Sequence, residues 1–520
     1  MVQRMACYKH YDFNQTKMIP LRFADQIQPG TFEYTLNHVV DNDLDMSLFE
    51  SRYRNDYNGA PAYDPAILLK IVLFAYSRGI TSSRKIAQAC RENVLFMALS
   101  ADSQPHHSTI AEFITRMDDV IAPLFTQILM VCDGMNLIGR EMFAIDGCKM
   151  PSNASKEWSG TRAELNRKQA KIDRAVERML KSHQHTDAID QQPEITEREA
   201  VQIKKLEEVS AKIKKHLATE PERLGQRGRP VKSNITDNDN AKMKTAKGVI
   251  QGYNGVAAVD SKHQIIVHAE AYGAGQEQHT LGPMLFGIRR QFRAFDKPDI
   301  SILKTAQITA DSGFHSEANM KMIYRLGIDG YIADNQFRKR DPLFIDSTTY
   351  KEQQAKRRKE RGNRITRFIP ADFDYDPATE TRRCPVGNAM WMNLKGKIEG
   401  HDVIRFHQGY RKQCRICPLN GQCPRNTNQQ EGRQVSFYPK NGKPAISFMD
   451  RMKEKIDSPM GRHIYSKRLG TVEPVFGNLE TNKGLKRFSL RGKNKVNVQW
   501  LMYCMVHNIE KIATKGELRH

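Results

Sequence analysis

The segment ITADSGFHSE, residues 308–317, decides how this sequence is interpreted. The apolar run from Ile308 to Ala310 predicts a short buried strand, which ends at Asp311, with Gly313 two residues later. A carboxylate costs free energy when it leaves water, unless a cation or hydrogen-bond donors compensate it. Two explanations are therefore open: Asp311 caps the next helix, or it belongs to a metal site.

A second aspartate ends another apolar stretch. The segment GREMFAIDGCKM, residues 139–150, predicts a strand that ends at Asp146. Far along the chain, Glu473 lies at the start of a predicted helix with an apolar face. If the strands of Asp146 and Asp311 are neighbours, their carboxyl ends lie side by side, and a helix crossing the sheet can bring Glu473 to the same point.

Three carboxylates at one point repel one another unless cations lie between them. Two Mg²⁺ (or Mn²⁺) ions about 3.5–4 Å apart meet this requirement, activate a nucleophilic oxygen and stabilise the leaving oxygen of a phosphodiester. The combination of Asp146, Asp311 and Glu473 therefore predicts a two-metal site, although each acid taken singly is better explained as structural. Alternative ligands with weaker support are Asp133, Glu141 and Glu480. Asp260 also ends a predicted strand, but the short return after it favours a hairpin-turn residue.

The composition favours a polyanionic partner. The 520 residues include 81 Lys and Arg against 59 Asp and Glu, a net charge of +22. Such an excess suits phosphate neutralisation and counterion release on DNA or RNA. Residues 351–367 carry eight Lys or Arg and two Glu, so Arg357 and Arg358 are predicted to contact DNA, with a solvated basic loop as the alternative.

The sequence predicts neither a membrane span nor export. It has no run of 18 or more apolar residues. The first residues, MVQRMACYKHYDF, lack the apolar core of a signal peptide. We therefore expect a cytoplasmic, nucleoid-associated protein without structural disulfides.

Residues 1–135 are predicted to form an N-terminal helical domain. Asp64 at the N-cap position opens a first helix, a second covers residues 81–100 from near Ser83, and more begin near Ser108. Short helices joined by tight turns resemble a helix-turn-helix, although a plain packing bundle explains them equally well. The basic residues predicted to bind DNA here are Arg84, Lys85 and Arg91.

Residues 136–335 and 461–520 are predicted to build an α/β core, a mixed sheet flanked by helices. A helical-hairpin insertion, 160–220, and a basic, turn-rich linker, 221–249, interrupt it. Each hairpin helix is predicted to open with a capping box: Thr161 with Glu164, and Thr196 with Glu199.

Residues 336–460 form a predicted basic insertion with grouped cysteines. In a reducing compartment, a C-x-x-C pair plus two further thiolates favours structural zinc over disulfides, with free thiols as the alternative. The predicted Zn²⁺ ligands are Cys384, Cys414, Cys417 and Cys423.

The order of these motifs resembles the DDE transposases of bacterial insertion sequences, most closely the IS1182-type family, related to the IS4 and IS5 groups. The motifs are FAIDGCKMPSNAS, GYNGVAAVD, ITADSGFHSE, the cysteine block and RLGTVEPVFGNLETNKGLKRFSLRG, and the resemblance covers most of the chain. It implies an RNase H-like catalytic fold in which Asp146, Asp311 and Glu473 are the acidic triad.

One motif departs from the IS4 pattern. Tyr465 and Arg468 keep its spacing, but four residues rather than three separate Arg468 from Glu473, and Lys483 is displaced. If Arg468 and Lys483 lie near the active face, they would bind terminal phosphates.

The resemblance implies an enzyme that binds the inverted-repeat ends of its element, cuts them and joins the freed 3′-hydroxyl to target DNA. Its partners would be double-stranded DNA, both ends and target, and further copies of itself as a homodimer or higher oligomer, since two ends are joined. The alternatives are an inactive DNA-binding protein derived from a transposase and a two-metal nuclease without strand transfer.

Overall fold

The computed structural model describes residues 20–53, 61–187, 197–225, 228–245, 248–295, 301–345, 372–376, 381–398, 401–423, 432–437 and 447–517, together with 348, 351, 352, 356 and 368. The chain divides into two units. Unit 1 comprises Met1–Asp334 and Ser458–His520, and unit 2 comprises Asn335–Asp457.

Helices fill the N-terminal part of unit 1: α1 (Phe32–Asn42), α2 (Pro65–Ser77), α3 (Ser83–Glu92), α4 (Val94–Leu99), α5 (His107–Thr115) and α6 (Ile121–Gly134). The predicted start of α2 is confirmed, because the Asp64 carboxylate accepts a hydrogen bond from the backbone N–H of Ala66 at 2.7 Å. The single helix predicted for residues 81–100 is wrong. Asn93 has an extended backbone, and its side chain accepts from the N–H of Leu95 at 3.0 Å, so it ends α3 and caps α4.

A mixed sheet forms the centre of unit 1. The strands of this unit are β1 (Met142–Pro151), β2 (Ser159–Gly160), β3 (Ser233–Asn234), β4 (Ala241–Thr245), β5 (Gly248–Asp260), β6 (Ile266–Tyr272), β7 (Gln307–Ala310) and β8 (Asp329–Ile332). The order across the sheet is β4–β5–β1–β7–β8, and β6 also pairs with β5. β1, β7 and β8 are parallel, whereas β5 runs antiparallel to its neighbours. The predicted mixed α/β fold is thus confirmed, and its RNase H-like assignment stays a prediction.

The insertion after β1 is a pair of long helices, α7 (Arg162–Asp187) and α8 (Glu197–Thr219). The capping box at the start of α7 is confirmed: Thr161 N–H donates to Glu164 Oε2 at 3.0 Å, and Glu164 N–H donates to Thr161 Oγ1 at 3.2 Å. The second predicted box includes Thr196, which lies outside the described residues.

Residues 221–249 are not only a linker, because they contain β3 and β4. Met243 is buried in β4 between Lys242 and Lys244, which point outward. This strand was not predicted from the basic, turn-rich sequence, and it adds to the sheet by pairing antiparallel with β5.

Helices α9 (Leu281–Phe295), α10 (Ile302–Thr305) and α11 (Glu317–Leu326) connect the later strands of unit 1.

Unit 2 begins with two short helices, α12 (Phe337–Arg340) and α13 (Pro342–Ile345). Its antiparallel sheet has the order β13–β12–β11–β10–β9. These strands are β9 (Asp374–Asp376), β10 (Thr381–Arg383), β11 (Ala389–Ile398), β12 (His401–Gly409) and β13 (Gln434–Phe437). Helix α14 (Arg411–Arg415) follows β12, and α15 (Phe448–Asp457) ends the unit. A small core of Phe373, Met390 and Val435 lies beneath the sheet.

The chain returns to unit 1 through α16 (Pro459–Gly477), a π-helical turn (Asn478–Asn482) and α17 (Lys493–Lys515). Helix α17 packs on the sheet, since the Trp500 indole N–H donates to the Val256 carbonyl at 3.2 Å. On another side, Tyr503 contacts Tyr76 of α2, with ring centroids 4.9 Å apart. The closing helix therefore joins the N-terminal helices to the sheet. In the described part of the chain, no helix has both the length and the apolar character that a membrane crossing requires.

Candidate active site

Two neighbouring parallel strands bring Asp146 and Asp311 to the same edge. Ile145 of β1 pairs with Ala310 of β7, and an aspartate follows each of them. β7 ends there, whereas β1 continues along β5 as far as Pro151. The side chain of Asp311 makes no capping hydrogen bond, and α11 is capped by Ser316 instead. Helix capping therefore does not explain Asp311.

The guanidinium of Arg468, on α16, lies against both carboxylates. Its Nη1 is 2.6 Å from Asp146 Oδ2, and its Nη2 is 3.5 Å from Asp311 Oδ1. The Arg468 side chain is 7% exposed, compared with 20% for Asp146 and 40% for Asp311. Tyr465 lies one turn earlier on the helix, and its ring centroid is 5.7 Å from the guanidinium carbon of Arg468. A cationic side chain thus already occupies the position between the two acids.

The electrostatics of Asp146 reflect this arrangement. Burial raises the pKa of Asp146, while Arg468 and the Gly147 N–H, which donates to Oδ1 at 2.8 Å, lower it. Asp311 adds a repulsion that raises it, and the net pKa is above the ordinary value. For Arg468, burial lowers the pKa, but the attraction of Asp146, Tyr465 and Asp311 outweighs burial and raises it.

Glu473 lies on the same helix as Arg468 but on a different face. It is exposed, whereas Arg468 and Val472 are buried. Five residues correspond to about 140° around an α-helix, so the extra residue in this motif turns Glu473 away from the side that carries Arg468. Val472 holds the position one turn after Arg468. Within the described residues, Glu473 has no ion pair or hydrogen bond with either aspartate.

Glu277 is a further acid in this region, and it was not among the residues predicted from the sequence. It follows β6, and its Oε1 is 3.4 Å from Lys149 Nζ and 3.4 Å from Asn254 Nδ2. A Cβ on Gly313 would lie 2.2 Å from Glu277 Oε2, so the carboxylate packs directly on the loop after Asp311. Burial raises the pKa of Glu277, Lys149 lowers it, and Asp146 and Asp311 raise it again. Glu277 lies five residues beyond the end of β6, in a short 3-10 turn, so no strand-end pattern in the sequence marks it.

A cavity of about 610 Å³ opens beside the unpaired edge of β1. It is lined by Gly147, Cys148, Lys149, Lys244, Thr245, Glu277 and Glu480. Lys149 and Lys244 give it cationic groups next to the acids. Glu480 reaches it from the π-helical turn. Gly147, which follows Asp146 in β1, lines the cavity, whereas Asp146 and Asp311 themselves do not.

The chemistry of Asp146 and Asp311 fits a divalent ion, because carboxylate oxygens are hard ligands and a cationic guanidinium already bridges the pair. Within the described residues, however, no group of three or more His, Cys, Asp or Glu is arranged to hold a metal. In this structure the guanidinium of Arg468 compensates part of the charge of the aspartate pair.

The same finding leaves the predicted zinc site without support. The four cysteines of unit 2 are described and half-buried, and none forms a disulfide. Burial raises the pKa of the Cys423 thiol, and Cys414, Cys417 and Cys384 also raise it, so they are near. They are not arranged as a metal-ligand group. Cys384 and Cys423 pack instead against the apolar core of the unit.

The residues predicted to bind DNA have different environments. Arg84, Lys85 and Arg91 are exposed on α3, opposite the buried face formed by Ile86, Ala87 and Cys90. Arg357 and Arg358 lie outside the described residues.

Lys483 is buried, with its Nζ 2.7 Å from Glu510 Oε1. Lys483 and Arg468 are thus engaged within the protein, and among the residues predicted to bind DNA that the structure describes, the three of α3 are the exposed ones.

Two family models match the chain. The model described as "Transposase DDE domain" covers residues 383–513, and the model described as "Transposase domain (DUF772)" covers residues 21–116. No curated protein matches the chain. The two matches indicate a transposase with a DDE domain, a class of protein that acts on DNA.

The pairing of these two domains in one chain is typical of IS1182-family transposases. The resemblance seen in the sequence motifs is therefore confirmed. The match at residues 21–116 includes α1 to α5, and the match at residues 383–513 includes α16 with Arg468 and Glu473.

Proposed function

We propose that this protein binds the inverted-repeat ends of its insertion sequence, cuts them with the help of divalent metal ions, and joins them to target DNA. The observation that carries the proposal is the pair Asp146 and Asp311, on adjacent parallel strands, both in contact with one buried arginine. Two neighbouring carboxylates that share one cationic partner are suited to reaction at a phosphodiester once metal ions are bound. The family match supports the same class of reaction.

Asp146 and Asp311 would hold the metal ions, with Glu473 as the third acid that the resemblance implies. Bound there, the ions would supply Lewis-acid activation of the attacking and leaving oxygens. For Glu473 to join the aspartates, α16 has to turn or shift, because the glutamate now lies on another face.

Arg468 would change partner when DNA binds. In the structure it compensates the charge of two partly buried carboxylates. A DNA phosphate is an equally good partner for a guanidinium, since both phosphate and carboxylate accept paired N–H groups. Transfer of Arg468 to a phosphate would free the aspartates for metal at the moment when substrate is present.

Other cations would hold the DNA. Lys149 and Lys244 line the cavity next to the acids and would bind the backbone of the strand being cut. Arg84, Lys85 and Arg91 would contact the duplex further from the cut. Because two ends are joined, at least two copies of the chain would assemble on DNA.

The test is cleavage and joining of DNA that carries the ends of the element, with Mg²⁺, by wild type and by Asp311→Asn. We expect the variant to lose at least about a hundredfold in rate, because a metal ligand is removed while the shape is kept. Asp133→Asn is the matched control, since Asp133 is a half-buried aspartate paired with Arg140, 2.8 Å away.

Equal rates for wild type and Asp311→Asn would refute the assignment of this residue. Cleaved but unjoined products from wild type would identify a nuclease without strand transfer. DNA binding without any cleavage would identify an inactive DNA-binding protein.

A further inference from the structure

The most exposed of the large apolar side chains in the described residues is Ile416 of unit 2, at 85%. It follows α14 directly and lies between Cys414 and Cys417. Single exposed apolar residues are common, but a side chain held almost entirely in water on a tight turn is suited to contact with a partner. Its neighbours indicate which partner.

Backbone hydrogen bonds fix the turn that carries Ile416. Cys414 N–H donates to the Tyr410 carbonyl at 3.0 Å, and Cys417 N–H donates to the Cys414 carbonyl at 3.4 Å. At the base, Gly409 N–H donates to the Arg433 carbonyl at 2.9 Å, which attaches the turn to β13. The isoleucine is thus presented on a pre-formed support, so its insertion into a partner requires little ordering of the backbone.

The surroundings of Ile416 are strongly cationic. Arg411, Lys412 and Arg415 of α14 are all exposed. Residues 403–430 contain no Asp or Glu. This surface combines clustered cations with a projecting apolar side chain. It complements a polyanion that also has apolar surfaces between which a side chain can insert. Duplex DNA has this combination, with phosphates along both strands and stacked bases between them.

Exposed aromatic residues extend the same surface. Tyr410 is 51% exposed at the start of α14, and Trp391 is 40% exposed on β11. Trp391 pairs with Gln408 near the end of β12, and Tyr410 directly follows that strand as the N-cap residue of α14, so both aromatic residues lie close to the start of α14. Flat side chains there would lie along sugars and bases next to the inserted residue.

We propose that Ile416 is a wedge that enters the minor groove of duplex DNA, partly unstacks one base step and bends the duplex, while Arg411, Lys412 and Arg415 hold the flanking phosphates. This inference rests on the proposed function in one respect, that the chain binds DNA. It adds a DNA-bending site at Ile416, which is distinct from Asp146 and Asp311. The proposed cleavage and joining reaction assigns no role to this site.

The experiment measures bending and affinity together. The full chain is titrated into a 30-base-pair duplex of mixed sequence, labelled with a donor and an acceptor at its ends, over a range of salt concentrations. We expect wild type to raise energy transfer by bending the duplex, and Ile416→Ala to abolish most of that rise. The variant should lose about tenfold in affinity, with its salt dependence unchanged, because no charge is removed.

Three variants serve as controls. Ile416→Leu keeps an apolar wedge and should restore bending. Lys412→Gln should keep the bend but reduce the slope of log affinity against log salt by about one, because one phosphate contact is lost. Phe286→Ala removes another exposed apolar side chain, 56% exposed on α9, and should change nothing.

Ile416→Ala that bends DNA as wild type does would overturn the proposal, as would wild type that binds the duplex without bending it. Wild type that binds no DNA at any salt would instead refute the proposed function. The wedge is supported if Ile416→Ala loses bending but keeps the salt dependence of wild type, and if Ile416→Leu bends DNA again.

Discussion

Replacing Arg468 by methionine would leave Asp146 and Asp311 without their shared cation. Arg468 is buried, with its guanidinium 2.6 Å from Asp146 and 3.5 Å from Asp311. Removing one partner of a buried ion pair costs about 3–5 kcal/mol. The aspartates are 20% and 40% exposed, so water screens part of that charge, and we expect about 2–3 kcal/mol.

That loss should appear as a small shift in melting temperature. Unit 1 holds about 400 residues. With an unfolding entropy of about 2.1 cal/mol/K per residue, the expected decrease in melting temperature is roughly 2–4 °C in EDTA at pH 8. Thermal unfolding is followed by intrinsic fluorescence. The second variant, Asp146→Asn with Arg468→Met, should recover most of the loss, because the uncompensated charge is gone.

The destabilisation caused by Arg468→Met should also depend on pH, and its direction follows from the pKa of Asp146. The folded-state pKa of Asp146 already lies above its ordinary value of 3.8 because of burial, and Arg468 holds it down. Without Arg468 it rises further. A raised carboxyl pKa penalises folding above that pKa, and protonation removes the penalty as pH falls through it. The difference in stability between variant and wild type should therefore be smaller at pH 5 than at pH 8.

Lys483→Met is the matched control, since it breaks a similar buried pair with Glu510, 2.7 Å away, elsewhere in unit 1. It should destabilise without rescue by Asp146→Asn. A stability difference for Arg468→Met that is equal at both pH values, or that Asp146→Asn leaves unchanged, would refute the assignment of Arg468 as the counterion of the aspartate pair.

The other predictions concern backbone contacts and the third acid. Gly252→Ala should prevent folding or lower the melting temperature strongly, because its Cβ would lie 2.0 Å from the Met150 carbonyl oxygen in the neighbouring strand. Gly470→Ala, on a helix with open space around it, should instead stabilise by about 0.5–1 kcal/mol, measured in the same melting experiment. Glu473→Gln should abolish DNA cleavage in the Mg²⁺ assay with little change in melting temperature; full activity would mean that α16 does not bring this glutamate to the aspartates.

Local features could be predicted from the sequence where short-range chemistry fixes them. Asp64 and the pair Thr161 and Glu164 were identified as caps, because a cap depends on residues within one turn. The end of β7 just before Asp311 was also predicted, but the strand end predicted at Asp146 is wrong, because β1 continues in pairing with β5 as far as Pro151. Asn93, which divides a predicted helix into two, uses the same short-range chemistry and was missed because the surrounding residues are good helix formers.

Long-range contacts were beyond a linear reading. Arg468 was predicted as a phosphate ligand, yet in the structure it pairs with an acid 322 residues away. Glu277 was not selected, because only folding places it against Gly313 and Lys149. The zinc site predicted from cysteine spacing lacks support, since spacing does not specify how four thiols are oriented.

By itself, the sequence determined the class of protein and the two apolar strand segments that lead into Asp146 and Asp311, because apolar patterning and motif order are properties of the linear chain. The tertiary structure alone decided that these strands are adjacent, that β1 continues beyond Asp146, that one arginine contacts both aspartates and that Glu473 faces elsewhere. The reason is physical: a carboxylate's partner is set by distances in space, and a single inserted residue turns a helical side chain by about 100°.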